Sequence, residues 1–262
     1  MNVKRMPSVR TVFLTAMLTM AGCATPSRDG ITQVATIDAL LAGVYDGHMT
    51  LADLREQGDF GIGTFEALDG EMILVDGVFY QARADGSIRR PPLRERTPFA
   101  CVTWFEPGVR QTIDKPTDMK MLEARINALA PQTNRFCTFR LEGTFSQVRV
   151  RSVPPQKKPY PPLAEVTRTQ PVFELANVPG VLIGFRSPPF VRGVNVPGFH
   201  MHFLADDRSG GGHVLAFELT RGVLQADTRH DRLTLILPPD SDAFDGADMA
   251  IDRSDELNRV EK

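Results

Sequence analysis

Apolar and polar residues alternate along much of this chain, and a period of two predicts half-buried β-strands. Asp-Gly pairs at 69–70 and 76–77, typical of tight hairpins, separate three such segments. The predicted strands cover residues 61–65, 71–75, 78–82, 99–105, 136–141 and 145–150. Further β-rich sequence runs to Leu237, so sheet is predicted to dominate the fold.

Helices are predicted in three segments. Apolar residues recur every three or four positions across 117–129. Two shorter helices are predicted at 36–41 and 50–58, the first with Thr36 as its N-cap and Gly43 after its C-terminus. Few helices among many strands predict the α+β class, with a mainly mixed or antiparallel sheet.

A proline-rich segment at 154–162 is unsuited to helix or central strand, and it is the candidate internal boundary. It divides the sequence into two β-rich halves, an N-terminal one at 32–153 and a C-terminal one at 154–262. A polar tether at 23–31 precedes both halves.

The N-terminus has the composition of an export signal. Basic residues precede a short apolar run, and small residues stand directly before Cys23. This order resembles a bacterial lipobox, so we expect residues 1–22 to be a signal peptide and Cys23 to be lipidated, with ordinary signal cleavage nearby as the alternative. The mature protein would then be anchored to the outer membrane on its periplasmic side, and only this lipid would contact the membrane.

Charge argues against a nucleic-acid partner. The chain has 30 basic and 32 acidic residues, and removal of residues 1–22 takes away three basic residues and no acidic ones. A net charge of about −5 would repel a phosphate backbone. Cys101 and Cys137 would remain after processing, either as a disulfide or as buried free thiols.

Three of the five histidines, His200, His202 and His213, lie within fourteen residues. In a strand His200 and His202 point to the same face, and the glycines at 210–212 predict a turn that returns His213 beside them. Three imidazoles without a fourth ligand nearby are typical of a catalytic metal site, here in the C-terminal half. Zinc is the commonest choice, but copper, iron, nickel and manganese also bind imidazole, and hydrogen-bonded core histidines are the alternative.

Candidate partners for such a metal lie elsewhere in the chain. Glu71 opens a predicted strand that is otherwise apolar. Arg149 and Arg151 alternate with valines, which predicts both guanidinium groups on one face. For each of these residues, a solvated surface charge is the alternative interpretation.

Several separate motifs, taken in order, resemble the α-acetolactate decarboxylase family. They span roughly residues 36–261, so the two halves would together form one decarboxylase unit. Cys101, directly after one motif, departs from the family pattern. The matching segments are residues 40–47, 58–65, 68–71, 97–100, 151–153, 156, 159–160, 198–203 and 211–213.

The resemblance also implies which residues form the site. The metal ligands would be His200, His202 and His213, which would bind Zn²⁺. The catalytic residues would be Glu71, Glu261 and Arg151, and the substrate contacts would be Thr64 and Leu68.

The implied reaction converts (S)-2-acetolactate to acetoin and carbon dioxide. Zinc would act as a Lewis acid and stabilise the enediolate that remains when carbon dioxide leaves. Arg151 would orient the substrate carboxylate, with the two glutamates as candidate proton shuttles and the arginine as a further candidate donor. The expected partner is this small molecule, and a homodimer is one candidate assembly.

Two other functions stay open at this point. A cupin-like metal dioxygenase or isomerase also has a His-x-His motif, but the glutamate expected after it is replaced by Ala205, Asp206 and Asp207. The other alternative is a periplasmic lipoprotein that binds metal for storage or structure without catalysis. Acetoin formation distinguishes a decarboxylase from both.

Overall fold

The computed structural model, which describes Met1 and residues 29–261, contains two large β-sheets and one small two-stranded sheet. In chain order the strands are β1 (Gly30–Val34), β2 (Met49–Thr50), β3 (Phe60–Thr64), β4 (Glu71–Val75), β5 (Val78–Ala82), β6 (Ile88–Arg89), β7 (Arg96–Thr97), β8 (Ala100–Thr103), β9 (Val109–Ile113), β10 (Thr117–Asp118), β11 (Cys137–Arg151), β12 (Val172–Ser187), β13 (Gly198–Ala205), β14 (Gly211–Asp227) and β15 (Arg232–Ile236). The α-helices are α1 (Ile37–Leu41), α2 (Leu51–Arg55), α3 (Met119–Leu129), α4 (Leu163–Val166), α5 (Asp242–Asp245) and α6 (Ser254–Glu261). The predicted α+β class with few helices is confirmed.

The first sheet has the strand order β15-β1-β8-β3-β4-β5-β6, and its β1–β15 pair is parallel. The second sheet has the order β10-β14-β11-β12-β13, with β9 also paired to β14. Because β13 pairs with both β12 and β14, the strands β14, β11, β12 and β13 close on themselves. β4 of the first sheet contacts β13 and β14 of the second, and this contact positions the site.

Local signals explain the elements that were predicted well. The Thr36 hydroxyl accepts a hydrogen bond from the Ala39 backbone N–H and caps α1. Asp76 and Gly77 both have positive φ, 51° and 72°, as a two-residue hairpin between β4 and β5 requires. These features depend on a few neighbouring residues, so they can be predicted from the sequence.

Strand β11 is continuous where two separate strands were predicted. Gly143, in the interval between them, is paired with Gly180 of β12 and Gly222 of β14. A Cβ atom on Gly143 would lie 2.3 Å from the Arg221 carbonyl oxygen, so the backbones approach too closely there for a larger residue. The glycine marks this close approach and does not end the strand.

The sheets do not follow the proposed boundary at residue 154. Strand β11 precedes it and pairs with β12 and β14 after it, while β15 joins the first sheet. The division into halves 32–153 and 154–262, which would together form one decarboxylase unit, stays a prediction.

Both cysteines of the described region, Cys101 and Cys137, are buried and free. Burial raises the pKa of the Cys101 thiol to about 12 and that of Cys137 to about 11. Cys23 and residues 2–22 of the expected signal lie outside the described residues. Among the described residues, no helix has the length and apolar character needed to cross a membrane.

Candidate metal centre

The β13–β14 hairpin brings the three predicted histidines together. His202 lies opposite His213 in the register, and His200 is on the same face of β13. All three side chains are buried, and one ligand nitrogen from each lies within 4.8 Å of the others. Gly212 of the return strand has a φ of 141°, and a Cβ atom at this position would lie 2.3 Å from the Arg151 carbonyl oxygen. Glycine therefore allows β14 to approach β11 this closely.

Hydrogen bonding fixes the orientation of His202. Its Nδ1 is 2.8 Å from the Met72 carbonyl oxygen and donates to it, so Nε2 carries the free lone pair. Nε2 is buried and has no hydrogen-bond partner. A core histidine held only by hydrogen bonds would not leave this nitrogen unsatisfied.

The three imidazoles are neutral at ordinary pH. Burial, with the Arg151 charge, lowers the pKa of His200 to about 3, and burial also lowers the pKa of His202 and His213. Neutral imidazole is the form that binds a metal ion. The site therefore needs no proton release from these histidines before a cation binds.

This donor set fits a metal ion that prefers imidazole. His200 Nε2 and His213 Nδ1 are 3.2 Å apart, close to the roughly 3.3 Å expected for two nitrogens at tetrahedral zinc. The carboxylate oxygen Oε2 of Glu261 is also buried without a hydrogen-bond partner. Unsatisfied acceptors facing one point are what a bound cation would satisfy.

Glu71 enters the site from a tight turn before β4. Ala67 and Leu68 have left-handed φ values of 59° and 60°, and the turn is held by the hydrogen bond from Gly70 N to the Val153 carbonyl oxygen. The Glu71 Oε2 atom lies 3.6 Å from His202 Nε2. Burial raises the pKa of Glu71 to about 7, although the nearby Arg151 charge opposes this shift.

Arg151 ends β11 directly opposite His213. Leu215 is an extra residue of β14 between the partners of Arg149 and Val150, which makes a β-bulge next to this pair. Arg151 is 4% exposed whereas Arg149 is exposed, so only Arg151 belongs to the site. The two arginines therefore differ in burial, although the alternating pattern predicted both guanidinium groups on one face.

Glu261 reaches the same point from α6. Leu257 and Val260 bury one face of this helix, and both belong to an apolar cluster with Leu163 of α4. Glu261 Oε2 is 3.6 Å from His200 Nε2 and 3.9 Å from His213 Nε2. Burial raises the pKa of this carboxyl group as well.

His200 and His213 border two cavities. The inner cavity, about 40 Å³, contains the predicted substrate residues Thr64 and Leu68 in its wall, together with Glu71 and Arg151. The outer cavity, about 490 Å³, is bordered by Phe199, Arg192 and Asn258. His200, His213 and Glu261 line both, so they stand where the two cavities meet.

All eight residues predicted for the metal, catalysis and substrate contact therefore converge in one place. Sequence reasoning missed three groups: the Met72 carbonyl that orients His202, and the Gln170 side chain and Val260 carbonyl that accept hydrogen bonds from Arg151. The two backbone carbonyls could not be predicted, because every residue type has one. Gln170 lies in a polar segment without a motif, so nothing in the sequence distinguishes it.

Comparison with known proteins gives consistent matches. The family model described as alpha-acetolactate decarboxylase matches residues 31–251. The alpha-acetolactate decarboxylase of Methanosarcina mazei is 45% identical over 235 residues, which cover 89% of this chain and 81% of the relative. That of Klebsiella aerogenes is 46% identical over 211 residues, or 80% of this chain and 81% of the relative. The crystal structure of the Bacillus subtilis strain 168 enzyme superposes with a TM-score of 0.86 at 37% identity, covering 88% of this chain and 99% of that one.

Proposed function

We propose that this chain, which belongs to the alpha-acetolactate decarboxylase family, uses a zinc ion held by His200, His202 and His213 to convert acetolactate to acetoin and carbon dioxide. Its relatives are carboxy-lyases, and the small-molecule substrate follows from that family. The observation that carries the zinc proposal is the buried His202 Nε2 atom, which has no hydrogen-bond partner beside two other neutral imidazoles.

The metal and the arginine have separate tasks in this proposal. A metal ion held by the three histidines would supply Lewis-acid stabilisation of the negative charge that develops on the substrate oxygens as carbon dioxide leaves. Arg151 binds the substrate carboxylate, because its guanidinium group borders the small inner cavity and is almost fully buried. The low exposure of Arg151 strengthens this charge-assisted contact. The contact holds the carboxylate in place until carbon dioxide leaves.

Proton delivery is assigned to the carboxyl groups. The carbon left by carbon dioxide must take up a proton to give acetoin. Glu71 lies 3.6 Å from His202, and burial favours the protonated form of its carboxyl group, so it is one candidate donor. Glu261 is the second candidate donor, because its carboxyl group lies at the same point. A guanidinium group is too weak an acid to donate a proton readily near neutral pH.

Apolar walls complete the inner cavity. Ile37 and Leu40 of α1, Leu163 of α4 and Phe99 line it beside Thr64 and Leu68. The Thr64 hydroxyl donates to the Gly70 carbonyl oxygen at 2.7 Å, so it offers its oxygen lone pairs to the cavity. These surfaces hold the alkyl part of the substrate and exclude water from the charged groups.

The test is acetoin formation from racemic acetolactate. Purified protein is assayed as isolated, after chelator treatment and after zinc is restored, and its metal content is measured each time. We expect acetoin only in the two metal-containing samples, with about one zinc per chain. A folded, zinc-replete protein that forms no acetoin would remove this proposal, and activity unaffected by complete metal removal would remove the zinc.

The dioxygenase and storage alternatives lack comparable support. Decarboxylase relatives match most of this chain. The segment directly after His202 lacks the glutamate that a cupin would have there. Neither alternative accounts for the convergence of Glu71, Arg151 and Glu261 on the histidines.

We also propose export and lipidation at Cys23, with anchoring at the periplasmic side of the outer membrane. The support is the order of basic, apolar and small residues before Cys23. Replacement of Cys23 by serine is expected to release the protein from the membrane fraction. Recovery of both forms in the same soluble fraction would contradict the anchor.

A further inference from the structure

The guanidinium group of Arg151 is held by four groups from separate parts of the chain. Nη1 is 3.1 Å from Gln170 Oε1 and 3.5 Å from Glu71 Oε1. Nη2 donates to the Val260 carbonyl oxygen at 3.0 Å and lies 3.8 Å from Glu261 Oε1. The two shorter contacts are both to uncharged acceptors.

Uncharged acceptors suit an arginine that must bind an anion. A guanidinium group only donates hydrogen bonds, so Gln170 must present its amide oxygen to it. The contact fixes the orientation of the group without neutralising its charge. Arg151 Nε is buried without a hydrogen-bond partner, so the group retains donor capacity for a carboxylate.

Gln170 also separates Arg151 from a solvent-side cavity. This cavity, about 210 Å³, is lined by Gln170 and Val260 together with Arg168 and Arg259, which are both exposed. Gln170 thus contacts Arg151 and borders the cavity at once. Loss of its side chain would let water reach the guanidinium group and would weaken its electrostatic interaction with a bound anion.

We propose that Gln170 is a positioning residue that orients the Arg151 guanidinium group for the substrate carboxylate and shields it from solvent. The inference rests on the proposed role of Arg151 as carboxylate binder. Since the carboxylate is present in the bound substrate and leaves as neutral carbon dioxide, the effect of Gln170 falls mainly on substrate binding.

The experiment compares Gln170→Ala and Gln170→Glu in the zinc-loaded enzyme, with Thr169→Ala as the matched control. Thr169 is the preceding residue and is exposed. We expect Gln170→Ala to raise KM about tenfold, with kcat within about threefold of wild type, as for loss of a hydrogen bond to a charged group. Gln170→Glu pairs a negative charge with Arg151, so we expect a larger rise in KM without a fall in Tm. Thr169→Ala should match wild type in all three quantities.

A purely structural role would lower Tm in both variants and leave KM unchanged, and this result would overturn the inference. If Gln170→Ala does not fold, Gln170→Glu decides alone, because unchanged KM in a folded protein contradicts the electrostatic role. Arg151→Lys is assayed in parallel. Normal KM and kcat in that variant would show failure of the underlying role of Arg151, whereas loss of activity there with normal Gln170 variants would overturn only the role of Gln170.

Discussion

Arg151 and His213 lie directly opposite each other on antiparallel strands β11 and β14, beside the bulge at Leu215. This relationship joins the proposed carboxylate binder to the proposed metal ligands through backbone pairing. Because the pairing belongs to the sheet, the distance between the two functions does not depend on a flexible loop. Variants that change only the side chain of Arg151 are therefore expected to keep the metal site.

Replacement of Arg151 by lysine tests that separation. We expect zinc content and Tm near wild type, but kcat/KM about 100-fold lower, since an ammonium group lacks the planar fork that fixes a carboxylate. The measurements are metal analysis, thermal unfolding and acetoin formation. Arg149→Lys, on the exposed neighbouring position, is the control and should behave as wild type. Near-normal turnover of Arg151→Lys would exclude Arg151 from the mechanism.

Replacement of Glu261 by glutamine tests the contribution of α6. The change keeps the size of the side chain but removes a carboxyl group that lies 3.6 Å from His200. We expect kcat to fall about 100-fold, the lower end for loss of a proton-transfer group, while far-UV circular dichroism is unchanged. Asp255→Asn makes the same chemical change at an exposed position of α6 and should retain full activity. Equal activity of the two variants would contradict a catalytic role for Glu261.

The cysteines are expected to be unreactive in the folded protein. Cys101 and Cys137 are buried, and their raised pKa values keep them as thiols rather than nucleophilic thiolates. We expect a thiol reagent at pH 8 to label both at least about 100-fold faster in denaturant than in native buffer. Peptide mapping identifies the labelled positions. A Cys101–Cys137 peptide resistant to labelling until reduction would instead reveal a disulfide.

Stability should depend on pH through His230. Burial lowers the pKa of this histidine below its ordinary value of 6.5, so the unfolded chain binds its proton first as the pH falls. The stabilisation is complete above the unfolded pKa and is lost as pH falls from there through the folded pKa. We expect the free energy of unfolding, measured in urea, to decline between pH 7.5 and 5.5 more steeply in wild type than in His230→Gln. Saturating zinc in both samples holds the site histidines constant, and parallel slopes would contradict the prediction.

Sequence signals located the parts of the fold that depend on near neighbours. Thr36 capped its helix as predicted, Asp76 and Gly77 formed a hairpin, and His200 and His202 shared a strand face. Each of these outcomes follows from the backbone geometry of a few consecutive residues. Glu71 and Arg151 were placed through resemblance, since neither carries a local sign of its partner eighty residues away.

Long-range contacts account for the features that were missed. Helix α6 was not predicted, because its short polar sequence acquires its position from the burial of Leu257 and Val260 against other helices. Gln170 became recognisable only through its contact with Arg151. The continuity of β11 was not predicted, because the glycines that lie opposite Gly143 on β12 and β14 are distant from it in the sequence.

The two groups of site residues have different structural requirements. The three histidines belong to one hairpin, whereas Glu261 depends on the docking of α6. Local opening of that helix would withdraw Glu261 and the Val260 carbonyl while the histidine hairpin stays paired. A preparation can then be fully loaded with metal and still contain inactive molecules, so active-site concentration has to be determined by turnover and not by zinc content.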